Sequence, residues 1–278
     1  MIVMRKVARA GLVALLLSGC AVSSPEPSAP SVSTAVPPTA VATVAGCASE
    51  EIRSRPSATA AIHCTFTSPR FPQLTFEFSD PGVPAAPAAP DRTQRVVVYD
   101  GQNPAQTIEE TTRAPHTSVP RVRDLANDTH GQLFTTVDSS EGVGQRTTVW
   151  RAHGLRGPFV RAGELTGYVD RITAVDDSYN VIYASAPLAS GVYTVFRLVD
   201  DRVVDLVRLP VAPATPVVDR GWTRPWLTVG NTLCLLKTPT EEELRALADA
   251  GWQSRTDVDR GLIQRLCQTS WVRDTYAA

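Results

Sequence analysis

Acid, histidine and hydroxyl side chains come closest together in Asp128-Thr129-His130 and the nearby Ser139-Ser140-Glu141. An acid that orients a histidine, which in turn activates a serine, is the arrangement of nucleophilic hydrolysis. The stretch lacks the Gly-x-Ser-x-Gly turn that presents such a serine. The simpler reading of Asp128 is that it shapes a turn by bonding its own backbone. The other histidines, His63, His116 and His153, have no partner at metal-ligand spacing and read as exposed side chains on turns or polar strand faces. Asp176-Asp177 and Asp200-Asp201 are acid pairs, but neighbours on a strand point to opposite faces. They read as solvated turns. No Gly-rich phosphate loop or calcium-loop pattern is present. The sequence therefore assigns no catalytic residue, no metal ligand and no cofactor, and it leans away from an enzyme.

The cysteines are Cys20, Cys47, Cys64, Cys234 and Cys267. Cys20 ends a distinctive N-terminus. Arg5, Lys6 and Arg9 precede a short apolar run from Ala10 to Leu17, the order of a secretory signal peptide. The run is about half the ~20 residues that a membrane-spanning helix needs. Leu17-Ser18-Gly19-Cys20 resembles the lipobox of bacterial lipoproteins, with an aliphatic residue and two small ones before a cysteine. That resemblance implies lipidation of the Cys20 thiol, cleavage after Gly19, and a chain held at the extracytoplasmic face of the cell membrane. Two or more acyl chains give a durable anchor, at ~0.8 kcal/mol per buried methylene.

With Cys20 taken by lipid, an even number of cysteines remains in an exported chain, which reads as disulfides. The local pairing, Cys47 with Cys64 and Cys234 with Cys267, is favoured among the three pairings available. No close-spaced cysteine pair supports a zinc site. Loss of the signal leaves 24 basic residues against 28 acidic ones, which argues against nucleic acid or anionic headgroups as partners of the body. Lysine occurs only at Lys6 and Lys237, while Arg, Ala and Pro are abundant, as in chains from GC-rich, for example actinobacterial, genomes.

These features divide the chain into a signal peptide (1–19), a lipidated cysteine and Pro/Ser/Ala tether (20–46), a mainly β domain (47–236) and a helical C-terminal segment (237–278). The tether is too poor in apolar residues to bury a core. Ile62 to Thr67 and Leu74 to Phe78 alternate apolar and polar residues, the period of a half-buried hairpin with Ile62, Cys64, Phe66, Leu74, Phe76 and Phe78 inside. A Pro/Ala stretch from Asp80 to Asp91 reads as a surface loop. Arg95 to Tyr99 is a further strand, and Asn103 to Pro120 is ambiguous.

Between Val122 and Pro210 the chain nearly repeats itself. Asp128 corresponds to Asp177, Leu133-Phe134 to Ile182-Tyr183, and Val149-Trp150-Arg151 to Val195-Phe196-Arg197, 46–49 residues apart. That spacing is near the period of propeller blades. The expected fold is mainly β, built of antiparallel meander repeats, propeller-like or sandwich, with a short α-helical end. Thr238-Pro239-Thr240-Glu241 reads as a helix start with Thr238 as cap, Gly251 as a stop, and 257–268 as a second helix. Cys234, on a strand from Trp226 to Leu236, would staple that helix. Trp222, Trp226, Trp252 and Trp271 crowd this region and read as packing. The functional expectation is a lipid-anchored envelope protein that binds a protein partner or ligand. The alternatives are an envelope hydrolase around Asp128 and His130, and a solute-binding lipoprotein, the latter disfavoured by the small helix content.

Overall fold

The structure is a computed structural model that describes residues 44–53, 59–83, 91–126, 128, 130–140, 144–175, 179–186, 189–214, 225–249 and 261–277. The signal, Cys20, most of the tether, Glu141, Asp176-Asp177, Trp222, Gly251 and Trp252 lie outside the described residues. Residues from Thr43 onward form one compact unit that includes both the sheets and the C-terminal helices. Among the described residues no helix is long and apolar enough to cross a membrane.

The architecture is mainly β, in antiparallel meanders. A short helix α1 (Glu50–Arg53) precedes a first sheet of β1 (Ile62–Ser68), β2 (Phe71–Asp80), β3 (Arg92–Asp100) and β4 (Asn103–Thr112), paired in chain order. The second sheet repeats this plan with β5 (Arg121–Arg123), β6 (Gln132–Ser140), β7 (Gly144–Ala152) and β8 (Phe159–Gly167). A 3-10 turn (Val169–Arg171) leads into the third, made of β9 (Thr173–Val175), β10 (Tyr179–Ser185), β11 (Gly191–Val199) and β12 (Arg202–Pro213). The hairpin β13 (Trp226–Val229) and β14 (Thr232–Leu235) adds to its β12 edge.

Period-two patterning decides what each face covers. Ile62, Cys64, Leu74, Phe76, Phe78, Val96 and Val98 of the first sheet pack against Leu133, Ala152 and Phe159 of the second. Residues of opposite parity in the second sheet, Phe134 and Val149, meet Ile182, Phe196 and Leu198 of the third. Val181, Tyr183, Val195 and Val207, on the third sheet's other face, are covered by α2 (Glu241–Asp249), α3 (Leu262–Cys267) and α4 (Ser270–Arg273). The sheets thus stack in series beneath a helical cap. A sheet buried on both faces needs apolar residues at consecutive positions, which explains the run Val181-Ile182-Tyr183 of the third sheet.

The repeat extends to the first sheet. The register between the third and fourth strands of every meander shifts by one, opposite Val98/Tyr99, Val149/Trp150 and Val195/Phe196, where the fourth strand carries an extra residue, Ala105, Ala162 and Leu206. Cross-strand pairing also corrects the sequence match. Phe134 lies opposite Val149, and the residue opposite Val195 is Val181, so Val181 rather than Tyr183 is the counterpart of Phe134. The shift of two residues preserves the face, which is why the apolar pattern tolerated the misalignment.

Both local disulfides are present. Cys47–Cys64 ties the start of the body to β1, where Cys47 N–H donates to the Thr65 carbonyl at 2.8 Å. Cys234–Cys267 clamps α3 to β14. The cap differs in detail from expectation. The stretch from Trp226 to Leu236 is not one strand but a hairpin, turned at Gly230 (φ +59) and Asn231, a Gly-Asn pair being a hairpin signal. Helix α2 begins two residues later than its Thr-Pro start suggested. Thr240 Oγ1 accepts from Glu243 N–H (3.1 Å) and Glu243 Oε2 accepts from Thr240 N–H (2.9 Å), a capping box on the second threonine. Tyr193 pins α4, donating to the Trp271 carbonyl at 2.8 Å with the rings edge to face at 4.8 Å.

Candidate functional site

Asp128 and His130 sit in the loop that enters β6, at the joint between the second and third sheets. The Asp128 side chain is 1% exposed, yet hydrogen-bond donors surround it, the Arg151 guanidinium among them. Arg151 on β7 approaches it side-on, Nε donating to Oδ2 at 2.8 Å and Nη2 to Oδ1 at 3.0 Å. Gln132 Nε2 donates to Oδ2 at 2.5 Å and the His130 backbone N–H to Oδ1 at 3.1 Å. His130 Nδ1 lies 3.0 Å from Oδ1. Burial alone would push the Asp128 carboxyl up, but the Arg151 and His130 hydrogen bonds outweigh it and hold the group below the usual carboxylate range. The bond to Asp128 raises the Arg151 guanidinium correspondingly.

The network continues into the third sheet. Arg151 Nη1 donates to Asp201, whose other oxygen lies 3.3 Å from His153 Nε2. Asp200 and Asp201 occupy the two-residue turn between β11 and β12 with φ of 45° and 64°, as a tight hairpin of this kind requires. Asp201 is not merely solvated, because the turn aims it at Arg151. Asn180 on β10 adds a second tie. Its Oδ1 accepts from Ala126 N–H at 2.8 Å and its Nδ2 donates to the Ala126 carbonyl at 3.3 Å, as a backbone partner would.

The structure brings Asp128 and His130 together but separates the serines from them. Gln132 pairs with Arg151 at one end of β6, whereas Ser139 and Ser140 pair with Gln145 and Gly144 at the other. Seven steps of ~3.3 Å put the serines roughly 23 Å away along the strand. The remaining histidines are also placed. His63 Nε2 lies 2.7 Å from Glu77 Oε1 on the outer face of the first sheet, and Tyr99 donates to Glu77 Oε2 at 2.8 Å. His116 offers its backbone carbonyl to Arg92, which forms a buried ion pair with Asp80 at 2.9 Å. Among the described residues no group of three or more His, Cys, Asp or Glu side chains is placed to hold a metal ion.

Sequence reasoning missed the roles of Arg151, Asp201 and His153. Arg151 stood out only as the end of a repeated triplet, and nothing local marks it as the partner of residues 23 and 50 positions away. It also missed a cleft of about 330 Å³ on the face of the second sheet turned toward the third, lined by Thr136 and Thr147 among others. Among the described residues, buried polar atoms have no hydrogen-bond partner there, at Thr147 Oγ1, and between the first two sheets, at both amide atoms of Gln94 and at Glu110 Oε2. Burial pushes the Glu110 carboxyl up, against opposing pulls from Thr148 and Arg161.

Fold and sites together describe an open stack of antiparallel meanders with an ionic clasp at one joint and a polar cleft in one face. Comparison with known protein families, characterised proteins and solved structures returned no match.

Proposed function

We propose that the chain is a lipid-anchored cell-envelope protein, held through Cys20, whose β body serves as a binding or assembly module. The observation that carries the non-catalytic half of this reading is the engagement of Asp128. Its oxygens are taken by Arg151, Gln132 and His130, and through Arg151 they join two sheets. A carboxylate so engaged works as a strut, because releasing it for acid–base chemistry would leave Arg151 half unpaired. Two disulfides support an oxidising, extracytoplasmic setting. The acidic balance of the body supports a protein or neutral ligand over nucleic acid.

The test is to express the full chain and its Cys20→Ala variant, weigh the N-terminal peptide by mass spectrometry, and crosslink in cells. The wild type should carry diacylglycerol on Cys20 and capture an envelope component that the variant does not. An unlipidated wild type, or equal membrane retention of both, overturns the reading. A second reading, an envelope hydrolase, is favoured by the 3.0 Å Asp128–His130 contact. It requires hydrolytic activity that disappears in His130→Ala.

A further inference from the structure

The cleft in the second sheet has a floor, a wall and an unfilled bonding requirement. Its floor is the cross-strand pair Thr136 and Thr147 with Gln145, and its wall is the segment from Thr117 to Arg121. Val169 of the 3-10 turn also lines it. Thr147 is 1% exposed, and its Oγ1 has no hydrogen-bond partner among the described residues. A buried hydroxyl without a partner is costly, so an occupant that supplies one gains that bond. Gln145 Nε2 on the floor reaches Ser118 Oγ on the wall through a long contact of 3.3 Å.

The lining also indicates what the occupant should be. Among the described residues lining the cleft, Arg121 alone is charged, and Asp170, which is not part of the lining, already holds its guanidinium in an ion pair. The polar groups that remain are hydroxyls and an amide, each able to donate and accept. Beside them stand the apolar surfaces of Val119, Phe134 and Val169. Groups that both donate and accept, next to apolar patches and without free charge, match a ring whose hydroxyls lie on its rim and whose C–H bonds form its faces. The volume is at the small end of ligand pockets.

We propose that this cleft binds a neutral polyhydroxylated molecule, a single sugar ring or polyol, through Thr136, Gln145 and Thr147. The assignment deepens the binding-module reading and rests on it.

The test is a backbone NMR titration of the full-length chain in detergent with D-glucose, D-arabinose, N-acetylglucosamine and glycerol, with inorganic phosphate and acetate as charged probes. At least one neutral probe should give saturable shifts confined to residues 117–121, 136 and 145–147. Thr147→Val should weaken that binding about five- to tenfold, the loss of one hydrogen bond, and Thr147→Ser should restore it. The unliganded valine variant should melt at the same temperature as the wild type or higher, because the orphan hydroxyl is gone. Three results overturn the proposal: shifts with phosphate or acetate alone, no shifts with any neutral probe, or a valine variant that melts several degrees lower. If the cleft stays silent while the anchored chain still captures its envelope component, the site assignment fails and the binding-module reading stands. If sugars bind but lipidation and capture fail, the anchored reading fails instead.

Discussion

Replacing Asp128 with asparagine tests whether the joint between the second and third sheets is an ionic strut. Asparagine keeps the shape but offers one acceptor oxygen and one N–H₂ group to the donors of Arg151, Gln132 and His130. At least one accepted bond becomes a donor facing a donor, and Arg151 loses a neighbouring charge. Removing one partner of a buried ion pair costs about 3–5 kcal/mol. Arg151 is 22% exposed and keeps Asp201, which places the expectation at the low end, about 3 kcal/mol. For a body of this size that is a fall in melting temperature of roughly 6–12 °C, read by circular dichroism at pH 7. Asp201→Asn, at a site 36% exposed, should cost about 1 kcal/mol or less. The pH dependence adds an independent check. A carboxyl held below its ordinary value of 3.8 stabilises the fold fully above that value and loses the contribution as pH falls through the lower folded value. The gap between wild type and variant should therefore be widest near neutrality and close in acid below pH 3.8. A loss under about 1 kcal/mol at pH 7, or a gap that does not narrow in acid, would refute the strut.

Two further perturbations address the rest of the architecture. Changing Cys234 and Cys267 together to serine opens a closure of 33 residues and should destabilise the fold by about 3–4 kcal/mol on the chain-entropy account; urea unfolding with an unchanged midpoint would contradict it. Gly167→Ala places a Cβ 2.6 Å from Ile182 Cγ1 and 2.6 Å from the Tyr183 carbonyl, at φ +148. It should cost about 2–4 kcal/mol, and a variant as stable as the wild type would show that the two sheets are not in close contact there.

Much of the body was legible because it obeys a local rule. The alternation in Ile62 to Thr67 and Leu74 to Phe78 assigned the right residues to the inner face, and the two near-copies exposed the meander. The first copy stayed hidden because its third strand, Arg92–Asp100, faces the same bulge in the strand that follows but lacks the Trp or Phe that stands there in the others. A bulge is a pairing property with no residue signature. The Thr240 cap was missed because Thr238-Pro239 imitates the same signal two residues earlier. The clasp and the cleft lay beyond reach for another reason. Arg151 meets Asp201, and Thr136 faces Thr147, only after strands have paired and sheets have stacked, and no spacing along the chain encodes that second step.

The helical cap over the third sheet has a consequence for assembly. Each meander presents apolar residues on its leading face, so a stack of this kind has no intrinsic stopping point, as in other repeat architectures whose ends must be sealed. The first sheet closes its end with the polar lattice of His63, Glu77 and Tyr99. The far end is closed by the helices that Cys267 and Tyr193 fasten over Val181, Tyr183 and Val207. These helices are the terminator of a series. With them detached, the exposed sheet would offer a second molecule the same kind of surface that the second sheet offers the third, and, the other end being polar, two molecules would close on each other face to face.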